Sequence, residues 1–358
     1  MIKPRNNNLN KLEEMKTSDM RVALFSDKNK IVYFVLKNNR LYSLLVEQND
    51  GVKPGNVYTG IVKKYNKATG GYFVAINDKD VVFLPQHKMH NVMLCSERKY
   101  DGCLHEGEQI IIQIIKSAYK EKRAMGSCKI KIDDMDKSEV ESILENARHY
   151  SKYSLVYSSK TYLEELCFDN SNNIKIVCND STSYEFAKNK LRSLYNDKEI
   201  DDLVKLYNDN AISLSSLYGL KAKCDECTNS KVYLKNGGYI FINPTEAMIV
   251  IDVNSGKNDG KKDLDASILD TNLNAVDEII HNIQCRNLSG IIIIDFVNQK
   301  SQESNIILIE KLKKGLESLN PPGVFVDMTK LGLVEITRPK IRSDIYENIS
   351  QLDKTILI

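Results

Sequence analysis

The stretch from Gly290 to Phe296, GIIIIDF, sets four isoleucines in a row against an aspartate. Consecutive β-branched residues in a short run bounded by Gly and polar residues read as a buried strand rather than a helix. A second run of the same build, IVIDVNSGK from Ile249 to Lys257, also meets an aspartate after three apolar residues. Between the two, Leu273, Val276, Ile279, Ile280 and Ile283 recur at helical spacing, with Asp270 or Thr271 as N-cap and Ser289-Gly290 as the stop. A second helix from about Ser301 to Leu316, a Pro321-Pro322 turn and the strand VFVDM follow. Strands alternating with helices commit this region to a layered α/β domain, with Asp252 and Asp295 near strand C-terminal ends, where the sites of such domains usually lie. A strand interior is an expensive place for a carboxylate, so both aspartates need a reason.

Asp252 and Asn254 are two apart and project from the same face of an extended strand. If the strand bearing Asp295 lies beside theirs, two carboxylates and an amide converge into a hard, oxygen-rich site suited to Mg²⁺ or Mn²⁺ rather than zinc. Like charges that close are unfavourable without a cation between them. The alternative is that each aspartate caps a neighbouring helix or turn, and spacing alone leaves both uses open. The five histidines (87, 90, 105, 149 and 281) lie on neither strand, so metal-activated water is a simpler mechanism than imidazole catalysis. A GxxxxGK[ST] phosphate loop and a GxSxG elbow are both absent, which counts against nucleotide-triphosphatase and serine-hydrolase chemistry.

The rest of the chain supplies a second theme. Among 358 residues, 50 Lys and Arg face 48 Asp and Glu, a formal charge of +2, so any nucleic-acid partner must be met by a local surface. Alternating patterns in RVALFSD and IVYFVLKNNRLYSLLV read as strands broken by a Lys-Asn-Asn-Arg turn. From Pro54 to Pro85, PGNVYTGIVKKYNKATGGYFVAINDKDVVFLP reads as short strands separated by Gly70-Gly71 and Asn77-Asp78 turns, the pattern of a small antiparallel barrel that continues to about Ile132. There Lys116, Lys120, Lys122, Arg123, Lys129 and Lys131 face only Glu121. A charge run is ordinarily a solvated surface, and Tyr72, Phe73 and Phe83 could be barrel core. Together, though, basic side chains and aromatics are what single strands need for phosphate attraction and base stacking.

Residues 133 to about 230 read as mixed α/β connecting structure: a helix at Lys137 to Ala147, strands in SLVYSS and IKIVC, and a helix in SYEFAKNKLRSLY. VYLKNGGYIFI then reads as a hairpin turning at Asn236-Gly237-Gly238. No apolar run approaches the ~20 residues of a membrane span, and MIKPRNNNLNKLEEMK has no signal-peptide core. A soluble, cytoplasmic protein is expected. Eight cysteines scattered without framework spacing fit reduced thiols, and Cys224-Asp-Glu-Cys227 has no second pair nearby to complete a zinc site.

The run LKNGGYIFINPTEAMIVIDVNSGK, then DTNLNAVDEI, SGIIIIDF and LGLVEITRPKIR, resembles the catalytic core of the ribonuclease E/G family. GNVYTGIV with YFVAI and VFLP resembles that family's inserted S1 barrel. The matches run in the family's order from Arg21 to Arg342, with a weak middle region, and several long motifs in register are more specific than any short pattern. The resemblance implies an α/β (α+β) multidomain fold, a ribonuclease H-like/DNase I-like layered core with an inserted S1 (OB-fold) β-barrel. Residues 1–51 would begin the ribonuclease H-like part and 52–132 form the barrel. Residues 133–230 would make a shortened 5′-sensor-like and ribonuclease H-like region, and 231–358 the catalytic DNase I-like domain.

The same resemblance implies a Mg²⁺-dependent endoribonuclease of RNA processing or decay, with Mn²⁺ able to substitute. Asp252 and Asp295 would be the metal ligands, Asn254 would orient the site, and Phe73, Phe83 and Lys122 would grip single-stranded RNA. In-line attack of water on a phosphodiester would leave a 5′-phosphate and a 3′-hydroxyl. This sequence departs from the family where a 5′-monophosphate sensor places an Arg-Thr pair, since SLVYSS offers Tyr157 and Ser158. The zinc-linking CPxC motif is also missing before Ile358, so no structural zinc is expected, and any homodimer would not form through a zinc-link. Two rivals are a catalytically inactive RNA-binding protein using the same barrel and a metal-dependent phosphoesterase acting on DNA or small phosphoesters.

Overall fold

The computed structural model describes residues 20–48, 52–118, 123–132, 135–169, 174–209, 211–256 and 264–357. The chain divides into two compact units, Met1–Asn49 with Leu166–Ile358, and Asp50–Glu165. Strands β1 (Met20–Asp27), β2 (Lys30–Lys37) and β3 (Arg40–Gln48) open the first unit as an antiparallel meander. Asn38 and Asn39 both take positive φ between β2 and β3, the turn that matches strand twist and that asparagine tolerates.

The second unit follows: β4 (Val57–Asn66), β5 (Gly71–Ala75), β6 (Val81–Pro85), β7 (Gln109–Lys116), β8 (Met125–Ser127), helix α1 (Lys137–Ala147) and β9 (Leu155–Tyr157). Pairing runs β4, β5, β6, β8, β7 and back to β4, which closes a five-stranded OB-type barrel, and β9 adds beside β4. Its interior is filled by Val62, Val74, Val82, Leu84, Ile110, Ile112 and Ile114, the inward half of the alternation.

Helix α2 (Tyr162–Asp169) leads back to the first unit. There come β10 (Ile174–Cys178), α3 (Ser181–Leu191), α4 (Asp197–Leu203), β11 (Val204–Leu206), α5 (Leu214–Tyr218) and α6 (Leu220–Thr228). Strands β10 and β11 add parallel to β1, giving the sheet order β11-β10-β1-β2-β3. This is the ribonuclease H-like order, with the barrel inserted between β3 and β10.

The same unit ends in a second sheet. It uses β12 (Lys231–Tyr233), β13 (Tyr239–Pro244), β14 (Ile249–Asn254), α7 (Leu264–Arg286), β15 (Gly290–Asp295), α8 (Gln302–Glu317), β16 (Val324–Met328) and β17 (Leu333–Arg338), before a last helix α9 (Ile345–Ser350). Sheet order is β12-β13-β14-β15-β17-β16, and only β14 and β15 are parallel, joined by the long crossover helix α7. Ala275, Val276, Ile279 and Ile283 of α7 and Leu308, Leu312 and Leu316 of α8 pack on Ile251, Ile292, Ile294, Val334 and Ile336. One face of the sheet is therefore covered. Arg40 on β3 donates both guanidinium nitrogens to the Glu278 carboxylate on α7, at 3.0 and 2.8 Å, tying the first sheet to this helix.

Two expectations change. Helix α7 begins at Leu264, so Asp270 and Thr271 lie inside it and are not its caps; their side chains are used on the hairpin turn described below. The reduced thiols expected for all eight cysteines fail at Cys227 and Cys285, whose sulfurs are joined between α6 and α7, a pairing that their separation of 58 residues does not signal. Among the described residues, no helix is long and apolar enough to cross a membrane.

Candidate active site

Strands β14 and β15 lie side by side in parallel, and their register sets Asp252 directly opposite Asp295. Neighbouring strands are about 4.8 Å apart and in-register residues share a face, so the two carboxylates stand together. The run of four isoleucines resolves into two faces. Ile292 and Ile294 are buried under the helices, whereas Ile291, Ile293 and Asp295 point the other way, with Ile291 52% exposed and Asp295 exposed. Asp252 and Asn254 occupy the half-buried positions of the alternating pattern in β14. The cost of burying a carboxylate is thus avoided, because the aspartates stand on the uncovered face.

Asn254 donates from Nδ2 to Oδ2 of Asp252 at 2.7 Å, fixing that carboxylate's orientation. Phe241 and Tyr239 of β13 pair with Asp252 and Asn254 respectively, so two aromatic rings flank the acid and the amide on the same face. Lys231 lies against Tyr239, its Nζ 3.9 Å from the ring centroid. Among the described residues no Lys or Arg pairs with Asp252 or Asp295, and no cluster of three or more His, Cys, Asp or Glu side chains could share a metal ion. A two-carboxylate donor set fits Mg²⁺, which keeps several waters and takes one or two protein carboxylates, and does not fit a structural zinc site.

Three consecutive residues of α7 brace this site, and sequence reasoning missed their role. Asn272, fully buried, donates from Nδ2 to the Val297 carbonyl at 2.8 Å and accepts from the Val297 N–H at 3.0 Å, clamping the chain two residues after Asp295. Asp270 and Thr271 accept from Nδ2 of Asn236, at 3.0 and 3.1 Å, holding the β12–β13 turn. That turn packs on the end of β14: a Cβ at Gly238 would lie 2.7 Å from the Asn254 carbonyl oxygen, so only glycine fits. The available signal was asparagine inside a helix, a residue that competes with the backbone and is disfavoured there unless its amide has work elsewhere.

On the barrel, Phe73 and Phe83 are register partners on β5 and β6, half-exposed, with ring centroids 5.7 Å apart. Arg123 and Lys64 both lie near the Phe73 ring, at 5.6 and 5.9 Å. Tyr72 faces inward into the barrel core. Gly71 lets the Phe83 ring lie across β5, since a Cβ there would be 2.7 Å from the ring edge. Lys122 lies outside the described residues. The basic run that the sequence showed as one feature is divided: Arg123 joins the aromatic pair, while Lys129 and Lys131 line a separate cleft. Tyr157 sits half-buried on β9 against Val57, Ile111, Leu144 and Ala147, a packing role. Burial pushes the Cys224 thiol up to about 12, which makes it a poor metal ligand.

A ribonuclease H-like sheet interrupted in sequence by a closed OB-type barrel, and followed by a second sheet with paired carboxylates, defines a multidomain α/β class built on two compact units. Residues 129–341 match the model of the ribonuclease E/G family, more than half of the chain, and the chain belongs to that family. It is 37% identical over 147 residues to a Ribonuclease E/G-like protein of Pyropia yezoensis, covering 41% of this chain and 29% of that protein. It is 36% identical over 147 residues to Ribonuclease G of Haemophilus influenzae, covering 41% and 30%. With Ribonuclease E of Nostoc sp. the identity is 31% over 173 residues, covering 48% and 25%. The chain thus spans less than a third of the length of these relatives.

Proposed function

We propose that this protein is an endoribonuclease that cuts single-stranded RNA with the help of Mg²⁺ held by Asp252 and Asp295. The observation that carries the reading is the register of β14 on β15, which sets the two carboxylates opposite each other on an uncovered sheet face, with no Lys or Arg paired to either among the described residues. A divalent ion bound there would activate water and neutralise charge at the scissile phosphate. Asn254 holds the Asp252 carboxylate through one oxygen, which leaves the other oxygen as a donor for the ion. Tyr239 and Phe241 present aromatic surface beside the acids, suited to positioning a base next to the bond to be cut. Phe73 and Phe83, with Arg123 and Lys64, form the stacking and phosphate-attracting surface of the barrel. In-line attack of water on the phosphodiester leaves a 5′-phosphate and a 3′-hydroxyl. Membership of a family whose relatives carry the names Ribonuclease E and Ribonuclease G supports the substrate class.

The test is cleavage of a fluorescent, AU-rich single-stranded RNA in Mg²⁺ or EDTA by the unaltered chain and by Asp295→Asn. Cutting that needs metal and is lost in the variant supports the reading. RNA binding with no cleavage in Mg²⁺ or Mn²⁺ would assign the chain to RNA-binding proteins without activity.

A further inference from the structure

The barrel unit carries a cleft of about 540 Å³ that shares no residue with the Phe73–Phe83 pair. Lys88, Lys129, Lys131, His87 and His90 line it, and among the described residues its lining contains no Asp or Glu. Among the described residues none of the three lysines forms an ion pair. Such an accumulation of like charge in a concave surface focuses a positive potential and favours an anion.

The lysines are also held in place by their backbones. Gln113 on β7, only 5% exposed, accepts from the Lys131 N–H at 2.9 Å and donates to the carbonyls of Lys131 and Gly55 at 2.6 and 3.0 Å. Ser127, 4% exposed, accepts from the Lys129 N–H at 3.0 Å, and the Cys128 N–H donates to the Lys88 carbonyl at 3.0 Å. Two buried polar side chains and one backbone bond therefore fix the two segments that carry the cations. A solvated charge run needs no such bracing.

We propose that this cleft binds successive phosphate groups of an RNA strand, a second point of attachment on the barrel besides base stacking on Phe73 and Phe83. The proposal rests on the reading that RNA is the substrate. Three lysines can each neutralise one phosphate, and each such contact on a single strand contributes about 0.7 to the slope of log affinity against log salt. The experiment measures binding of fluorescent single-stranded RNA by anisotropy across a salt series in EDTA, using the full chain and the variant Lys88→Gln/Lys129→Gln/Lys131→Gln, with a thermal melt to verify that the variant folds. The expected slope is smaller by about 2, with binding on the order of 30-fold weaker near 0.15 M salt. Phe73→Ala, run in parallel, should weaken binding without changing the slope.

Oligomers with 5′-hydroxyl and 5′-phosphate ends distinguish the source of the phosphate. A loss shared by both means an internal phosphodiester, and a loss confined to the second means the terminal group. A folded variant with the unaltered chain's slope on both oligomers overturns the proposal and leaves the nuclease reading standing. Failure of the unaltered chain to bind RNA removes both.

Discussion

Asn272→Ala is the sharpest perturbation of the candidate site that leaves the proposed ligands Asp252 and Asp295 untouched. The amide is fully buried and serves both backbone groups of Val297, two residues beyond Asp295. Removing it leaves an N–H and a carbonyl without their side-chain partner, at about 1–3 kcal/mol for each fully buried group. Val297 is half-buried, so water can reach part of the gap, and the expected loss is about 2–4 kcal/mol by urea unfolding. The segment carrying Asp295 loosens, and a displacement of about 1 Å at reacting groups lowers a rate by on the order of 10²-fold. Single-turnover RNA cleavage at saturating Mg²⁺ should fall accordingly while RNA affinity stays unchanged. Asn272→Asp separates bracing from simple packing, because it keeps the acceptor for the Val297 N–H but sets a carboxylate against the Val297 carbonyl. Its stability deficit relative to the unaltered chain should shrink as acid protonates that carboxyl and restores a donor. An Asn272→Ala chain with unchanged urea midpoint and unchanged cleavage would refute the reasoning.

Three further outcomes are expected. Phe83→Ala should weaken single-stranded RNA binding by about 1–3 kcal/mol, the range for one stacked base, and unchanged affinity by anisotropy would remove the ring from the RNA surface. Ile294→Ala should destabilise the chain by about 2–5 kcal/mol, because Ile294 is fully buried between the second sheet and its helices; a change under about 0.5 kcal/mol, the range of surface substitutions, would mean that face is not packed. His281 is held neutral, its pKa lowered to about 4 chiefly by burial, with Arg40 and Arg286 adding to the shift against Glu278. The unfolded chain takes up a proton near pH 6.5 that the folded chain refuses until about pH 4. Stability is therefore full above pH 6.5 and falls by about 2 kcal/mol between pH 7 and pH 5. Urea midpoints across that range should slope less in His281→Gln, and equal slopes would contradict the assignment.

Local pattern carried the elements well and their adjacency poorly. GIIIIDF could be read as a strand from its β-branched run, yet a continuous apolar run does not reveal that Ile291 and Ile293 face outward, since that depends on which side α7 and α8 cover. The neighbourhood of Asp252 and Asp295 was likewise conditional in the sequence, because strand pairing across α7 is a non-local fact. Asp270 and Thr271 look like helix caps because the apolar stripe starts just after them; the helix extends upstream through a polar turn that the stripe does not mark. Spacing in the chain also merged Arg123 with Lys129 and Lys131, whereas the strand β8 between them sends one to the aromatic pair and the others to the cleft. Buried asparagines such as Asn272 carry no periodic signal, and their partners become visible only when the backbone is in place.

The most direct test of the central claim is a crystal structure of the unaltered chain soaked in Mn²⁺, with anomalous density sought at the sheet face. The account predicts a single strong peak bridged by the Asp252 and Asp295 carboxylates, and its loss in Asp295→Asn. Carboxylates too far apart to share an ion, or a peak elsewhere with none between them, would contradict it.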